Sequence, residues 1–278
     1  MISGILKYEF LQNAFFTGMI IGVIAPLLGV FVVVRRQSLI ADALSHVTLG
    51  GIAFSLFIDK KFLTGAGVMN PLYMGMAFSV GGSLIIEKLR GVYKHYQELA
   101  IPIILSAGMG LSVIFISLAD GFNTDLFSYL FGSVSAVSRQ DLWTITAVAA
   151  IVLTIVFVLY KELFLLSFDE DHAKASGIPA KYIHLIFIIL VALVIAASMR
   201  IVGILLVSSL MTLPVAAGIR LAKGFKQLII YSVVFGEISV VGGLVLAYHL
   251  DLAPGGTIVM LAILILIASI AVKKIRHA

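Results

Sequence analysis

The chain has 278 residues, a length that ordinarily holds one or two soluble domains. Its composition excludes that: hydrophobic residues make up 61% and charged residues only 12%, about half the roughly 25% of a typical soluble domain. The net charge of +5 does not mark a nucleic-acid partner, because the basic residues are scattered between apolar runs.

Taken in chain order, the long apolar runs predict spans at 11–34, 38–58, 68–87, 98–119, 142–160, 182–198, 202–217, 228–248 and 254–272. At about 20 residues per crossing, nine spans use roughly 180 residues and leave about 100 for loops. The expected fold is therefore all-α, a single polytopic transmembrane domain over 1–278 with 8–9 helices. The runs 182–198 and 202–217 are short and separated only by Met199, Arg200 and Ile201, so one broken helix and eight crossings also fit. The apolar stretch after Lys7 and Glu9 reaches Val34 with no small-residue cleavage pattern, so the first span is expected to stay. Within it, Gly18 and Gly22 form a GxxxG pair that favours close helix packing.

Charge asymmetry sets the orientation. With loop 88–97 in the cytoplasm and alternating spans, Arg35, Arg36, Lys88, Arg90, Lys94, Lys161, Lys174, Lys181, Arg220, Lys223, Lys226, Lys273, Lys274 and Arg276 fall inside. Only Lys7, Lys60, Lys61, Arg139 and Arg200 fall outside, which puts the C-terminus in the cytoplasm. The outer segment 120–141 has acidic ends and the aromatics Phe127, Tyr129 and Phe131, a pattern for an interfacial or re-entrant helix. The inner loop 161–181 carries SFDEDHAKASGIPAKY, where Ser167 is expected to cap a short helix that Gly177 and Pro179 end.

The absence of cysteine rules out disulfides and thiolate ligands, so any metal must be held by His, Asp, Glu, backbone oxygen or water. No GxxxxGK[ST] loop is present, so ATP, if used, is bound by another polypeptide. No HExxH occurs, which argues against an intramembrane metalloprotease.

A charge in the bilayer core costs at least about 2.5–3.5 kcal/mol, so the few ionisable groups there need a reason. They are Asp42, His46 and Glu237, with Glu98, His184 and His249 near span ends, where they could snorkel to the interface. Asp42 and His46 stand four apart in RRQSLIADALSHVTLGG, on one helix face with Ser38, Ser45 and Gly50 as small neighbours. A carboxylate and an imidazole suit a divalent cation such as zinc or manganese, and an internal Asp–His hydrogen bond joining two helices fits the spacing as well. Two ligands fall short of the four a zinc site wants, but a two-fold dimer would supply two copies of each. Glu237, beside Gly236, Gly242 and Gly243, reads first as a structural hydrogen bond and second as a ligand. His95, His172 and His277 read as ordinary surface residues, and His249 and Asp251 as residues of the last outer turn.

RRQSLIADALSHVTLGGIAF is similar to the signature of the zinc/manganese ABC-transporter permeases, the membrane subunits of bacterial metal-uptake importers. The similarity continues through DLFSYLFGSVSAVSRQDL, FDEDHAKASGIP, VGILLVSSLMTLPVAAGIRLAKGF and DLAPGGTIVML, nearly the whole chain in order. RRQSL and LFSYLFGS look closest to the zinc-importing members. The resemblance implies a bacterial plasma-membrane permease, related in architecture to vitamin B12 and siderophore permeases, that breaks no covalent bond itself. It implies a homodimer, cytoplasmic ATPase subunits and an extracytoplasmic metal-binding protein, with no bound cofactor besides the travelling zinc or manganese. It carries the metal role to Asp42 and His46, and by analogy ATPase contact to segment 214–227, where Arg220, Lys223 and Lys226 give a basic helical face. The rival reading is a secondary metal-ion transporter, which usually shows two related halves; no convincing internal repeat is visible here.

Overall fold

The computed structural model describes residues 8–62, 70–93, 95–119, 121 and 124–277. Lys7, Lys94, Asp120 and the side chains of Arg276 and His277, which figured in the charge and loop patterns, lie outside the described residues. The described chain is helical throughout, with no strand. Its helices are α1 Glu9–Val34, α2 Leu39–Phe62, α3 Pro71–Val92, α4 Ala100–Leu118, α5 Thr124–Phe131, α6 Arg139–Val158, α7 Tyr160–Phe168, α8 Glu170–Ala175, α9 Ala180–Val202, α10 Ile204–Leu221, α11 Phe225–Leu250 and α12 Pro254–His277.

Among the described residues, eight helices are both long and apolar enough to cross a membrane: α1, α2, the stretch containing α4, α6, α9, α10, α11 and α12. The ninth long helix, α3, is diluted by glycine, serine, Glu87 and Lys88, but its 22 residues reach about 33 Å at 1.5 Å per residue. Its ends touch opposite faces of the bundle. At its start Tyr73 meets Thr144 near the beginning of α6, at 3.2 Å. At its end Glu87 and Arg90 meet His184 near the beginning of α9. Nine long helices among the described residues thus run the height of the bundle, within the eight to nine expected.

Local signals explain the helix ends. Asn70 caps α3 by accepting from the Leu72 amide at 3.0 Å, with Pro71 in the first helical position. Ser138 and Asp141 close a capping box on α6. In the inner loop the cap of α8 is Asp169, which accepts from the His172 amide at 2.8 Å. Ser167, expected in that role, lies in the preceding helix and donates to Leu163 O instead, because α7 runs on through Phe168. Gly177, with φ of 80°, breaks the chain after α8 as expected.

The break between α9 and α10 is one residue long and falls at Gly203, not at Met199–Ile201. Arg200 is thus the last turn of a continuous helix. Gly203 has φ of 84°, and a Cβ there would sit 2.5 Å from Leu130 O. Gly132, with φ of 78°, faces Ile201 O in the same way, where a Cβ would be 2.0 Å away. The α9–α10 corner and the end of α5 therefore meet backbone to backbone, which only glycine allows. Such small-residue contact recurs between α1 and α11, where Gly18 lies against Val240 and Leu244 and Gly22 against Glu237. The interior is built from α1, α2, α9 and α10, while α4, α6 and α12 turn apolar residues such as Val113, Phe157 and Ile275 outward.

Candidate functional site

Asp42 lies in the first turn of α2, and His46 one turn further, roughly 6 Å along the axis. Both are half-buried, and the Asp42 carboxylate acts on the imidazole charge. The surrounding helices fix this face. Gly82 of α3 lets Val47 approach, and Gly108 of α4 packs on the backbone of His46 and Val47. Ser112 of α4 donates to His46 O at 2.9 Å. With that side of α2 gripped, the partly open stripe is Ser38, Asp42 and His46, each four residues apart. Ser45 and Gly50, expected on the same stripe, are covered: Ser45 donates to Ala41 O at 2.8 Å, and Gly50 faces Ser112.

No group of three or more His, Asp or Glu side chains that could hold a metal occurs among the described residues. One chain thus offers two side-chain donors and an open edge. Glu237 does not join them. It sits on the α1–α11 seam with Oε1 against Gly22, and that oxygen has no hydrogen-bond partner, contrary to the structural hydrogen bond expected of it. His249 is exposed beside Tyr248, and Asp251 takes the left-handed position that ends α11.

Arg220, Lys223 and Lys226 are all exposed at one end of the bundle. Residues 214–221 complete α10 and 225–227 open α11, so segment 214–227 is a helix end, a three-residue turn and a helix start, with no separate helix in between. Arg220 also shares a small hollow with Lys273 and Lys274 of α12, which enlarges the basic surface.

Two charge clusters escaped the sequence reading. At the end of the bundle expected to face outward, Arg200 donates to Asp141 at 2.5 Å, to the Tyr129 hydroxyl at 2.9 and 3.1 Å, and to Ala136 O at 2.9 Å. It is a structural clamp on the segment between α5 and α6, not a free topology charge. The pattern Ser138-Arg-Gln-Asp141 was readable as a capping box, but its arginine partner lies 59 residues away. On the inner side, His184 is buried rather than snorkelling, in contact with Arg90 and Glu87. Arg35 lies over the Phe187 ring at 5.8 Å, and burial, reinforced by Arg90, pulls its guanidinium down to about 10. Next to them, a hydrogen bond from Lys174 holds the Glu170 carboxyl below its ordinary range, and the same bond raises Lys174.

A bundle of nine long helices, eight of them apolar enough to cross a membrane, with an acid–imidazole pair on one interior helix and a basic rim at one end, defines a multi-pass membrane protein. The chain belongs to the ABC 3 transport family, whose sequence pattern matches residues 7–273. It is 35% identical over 268 residues to the manganese import system permease protein ScaB of Streptococcus gordonii, covering 96% of this chain and 93% of that one. It is 34% identical over 264 residues to the manganese transport system membrane protein MntC of Listeria monocytogenes, covering 95% and 91%. Its fold matches a chain in the structure of PsaBC from Streptococcus pneumoniae in complex with Fab with a TM-score of 0.82, at 33% identity, covering 96% of this chain and 93% of that one. The protein is accordingly a cell-membrane permease of an ABC metal importer, and its part is transport rather than catalysis.

Proposed function

We propose that this permease moves a divalent transition-metal ion into the cytoplasm past Asp42 and His46, and that two copies of the chain complete the site. The observation that carries this is the half-buried Ser38–Asp42–His46 stripe: two good donors for a dication, held rigidly by α3 and α4 and open on one edge. A second copy related by a two-fold axis would bring two carboxylates and two imidazoles together, and a passing ion tolerates an incomplete shell because it must leave again. Closure of separate ATPase subunits against the rim of Arg220, Lys223 and Lys226 would switch the pathway between its two openings, with an extracytoplasmic metal-binding protein loading the outer side.

Manganese is the first cargo to test, because ScaB and MntC are named for it and because carboxylate donors without any thiolate suit that ion. Zinc is the second reading, favoured by the RRQSL and LFSYLFGS segments and by the imidazole. The test is manganese and zinc content, measured separately, in a deletion strain rescued by wild type, Asp42→Asn or His46→Ala. Both variants are expected to reach the membrane and to restore neither metal. Normal uptake by both would remove the site from the pathway, and rescue of zinc but not manganese by wild type would reverse the order of cargoes.

A further inference from the structure

A cavity of about 570 Å³ opens at the inner end of the bundle between α3, α8 and the start of α9, within the volume range of small-molecule sites. Six charged side chains line it. Glu87 is matched by Arg90 at 3.6 Å, and Glu170 by Lys174 at 2.9 Å. Lys88 and Lys181 are left over. Both are exposed and without an ion partner among the described residues, so the lining is net positive by two charges. Arg35 adds a further, half-buried cation close by, with Nη1 buried and unpartnered, and His184 in the wall leaves Nδ1 buried and unpartnered.

The depth of this cavity points to its occupant. Tyr93, Tyr96 and Tyr182 are exposed close by in sequence to its lining residues, the arrangement expected at headgroup level. Leu84 and Leu185 line the apolar side of the cavity, and the neighbouring Ile85 and Ile186 are exposed on the same two helices. A cationic hollow floored by aliphatic side chains, at the cytoplasmic interface, matches a ligand with an anionic head and hydrocarbon tails.

We propose that this cavity seats the phosphate of an anionic phospholipid between Lys88 and Lys181, with its acyl chains descending along Leu84, Ile85 and Ile186. Such a lipid would tie the end of α3 to the start of α9, the two helices that also meet through Arg90, Glu87 and His184.

The test uses the full chain in nanodiscs of zwitterionic lipid doped with phosphatidylglycerol, with retained lipid counted by native mass spectrometry. Wild type is expected to keep phosphatidylglycerol, and the Lys88→Gln/Lys181→Gln double variant to bind it about 30-fold more weakly, equivalent to roughly 2 kcal/mol or about 1 kcal/mol per lysine. Because both lysines are exposed, the double variant should unfold at the wild-type temperature in purely zwitterionic discs, which separates lost binding from lost folding. Equal retention by the double variant overturns the proposal. So does protection of the detergent-solubilised protein by inorganic phosphate equal to that by the lipid, which would assign the cavity to a free anion. Shielding of probes at positions 88 and 181 by added ATPase in place of lipid would give the surface to the protein partner and overturn it equally.

Discussion

The Arg200–Asp141 pair gives the sharpest prediction about stability. Asp141 is fully buried, and the Arg200 side chain keeps only 19% exposure. Arg200→Gln leaves a carboxylate in the interior with Ser138 as its remaining donor, while Asp141 Oδ1 already has no partner. Removing one member of a buried pair costs about 3–5 kcal/mol, and the high end applies because the bonds to Tyr129 and Ala136 O go with it. Asp141→Asn should cost less, about 1–3 kcal/mol, since the guanidinium can still reach outer water and an amide oxygen can still accept. The double variant Arg200→Gln/Asp141→Asn should be better than the sum of the singles by at least about 1.5 kcal/mol. Equilibrium unfolding in mixed micelles measures all three, and proteolysis within 132–138 reports the local release. Singles that each cost under about 1 kcal/mol and add without coupling would refute the clamp.

Glycine substitution at the α5–α9 corner should be severe and position-specific. Gly132→Ala and Gly255→Ala would place a Cβ 2.0 Å from Ile201 O and 1.9 Å from Val202 O, so each should lose at least about 2 kcal/mol, read as yield of folded protein and unfolding midpoint. Gly256→Ala, next door with open space around it, should be neutral or gain up to about 1 kcal/mol, and equal damage at 255 and 256 would contradict the packing. At low pH the anchoring of α8 should weaken. Glu170 has a lowered folded pKa, so its contribution is complete above the usual carboxylate range and is lost as pH falls through the folded value. Protection of the α8 amides, taken relative to intrinsic exchange at each pH, should therefore fall on acidification in wild type and stay nearly flat over the same range in Lys174→Met. If the proposed ATPase contact is right, charge reversal at the basic rim, Arg220→Glu with Lys223→Glu, should reduce co-purification with that partner while leaving membrane insertion unchanged.

The crossings were readable because lipid imposes one rule, about 20 apolar residues per helix, and eight of the nine follow it. The third was also read from its apolar run, 68–87, although its glycines and serines dilute it, and its end at Val92 lies five residues beyond the predicted one, where Glu87 and Arg90 are answered by contacts with each other and with His184. The same physics misled the reading at Arg200: a charge beside an apolar run marks a boundary only when nothing answers it. Its answer, Asp141, comes from another helix, and no local pattern announces that pairing. Asp42 and His46 stood out because i, i+4 spacing is local, whereas which edge of their stripe stays open depends on where Gly108 and Ser112 of α4 happen to lie.

Gly203 leaves the chain no slack between its sixth and seventh crossings. Two helices of 23 and 18 residues have one residue as their whole connection, so neither can rotate or slide without the other feeling it at once. Loops elsewhere absorb insertions at small entropic expense, but an extra residue here would re-aim everything downstream of the corner. Motion that begins at the inner tip of α10 must therefore arrive at the outer surface as a torque on α9, with a single left-handed residue as the axle.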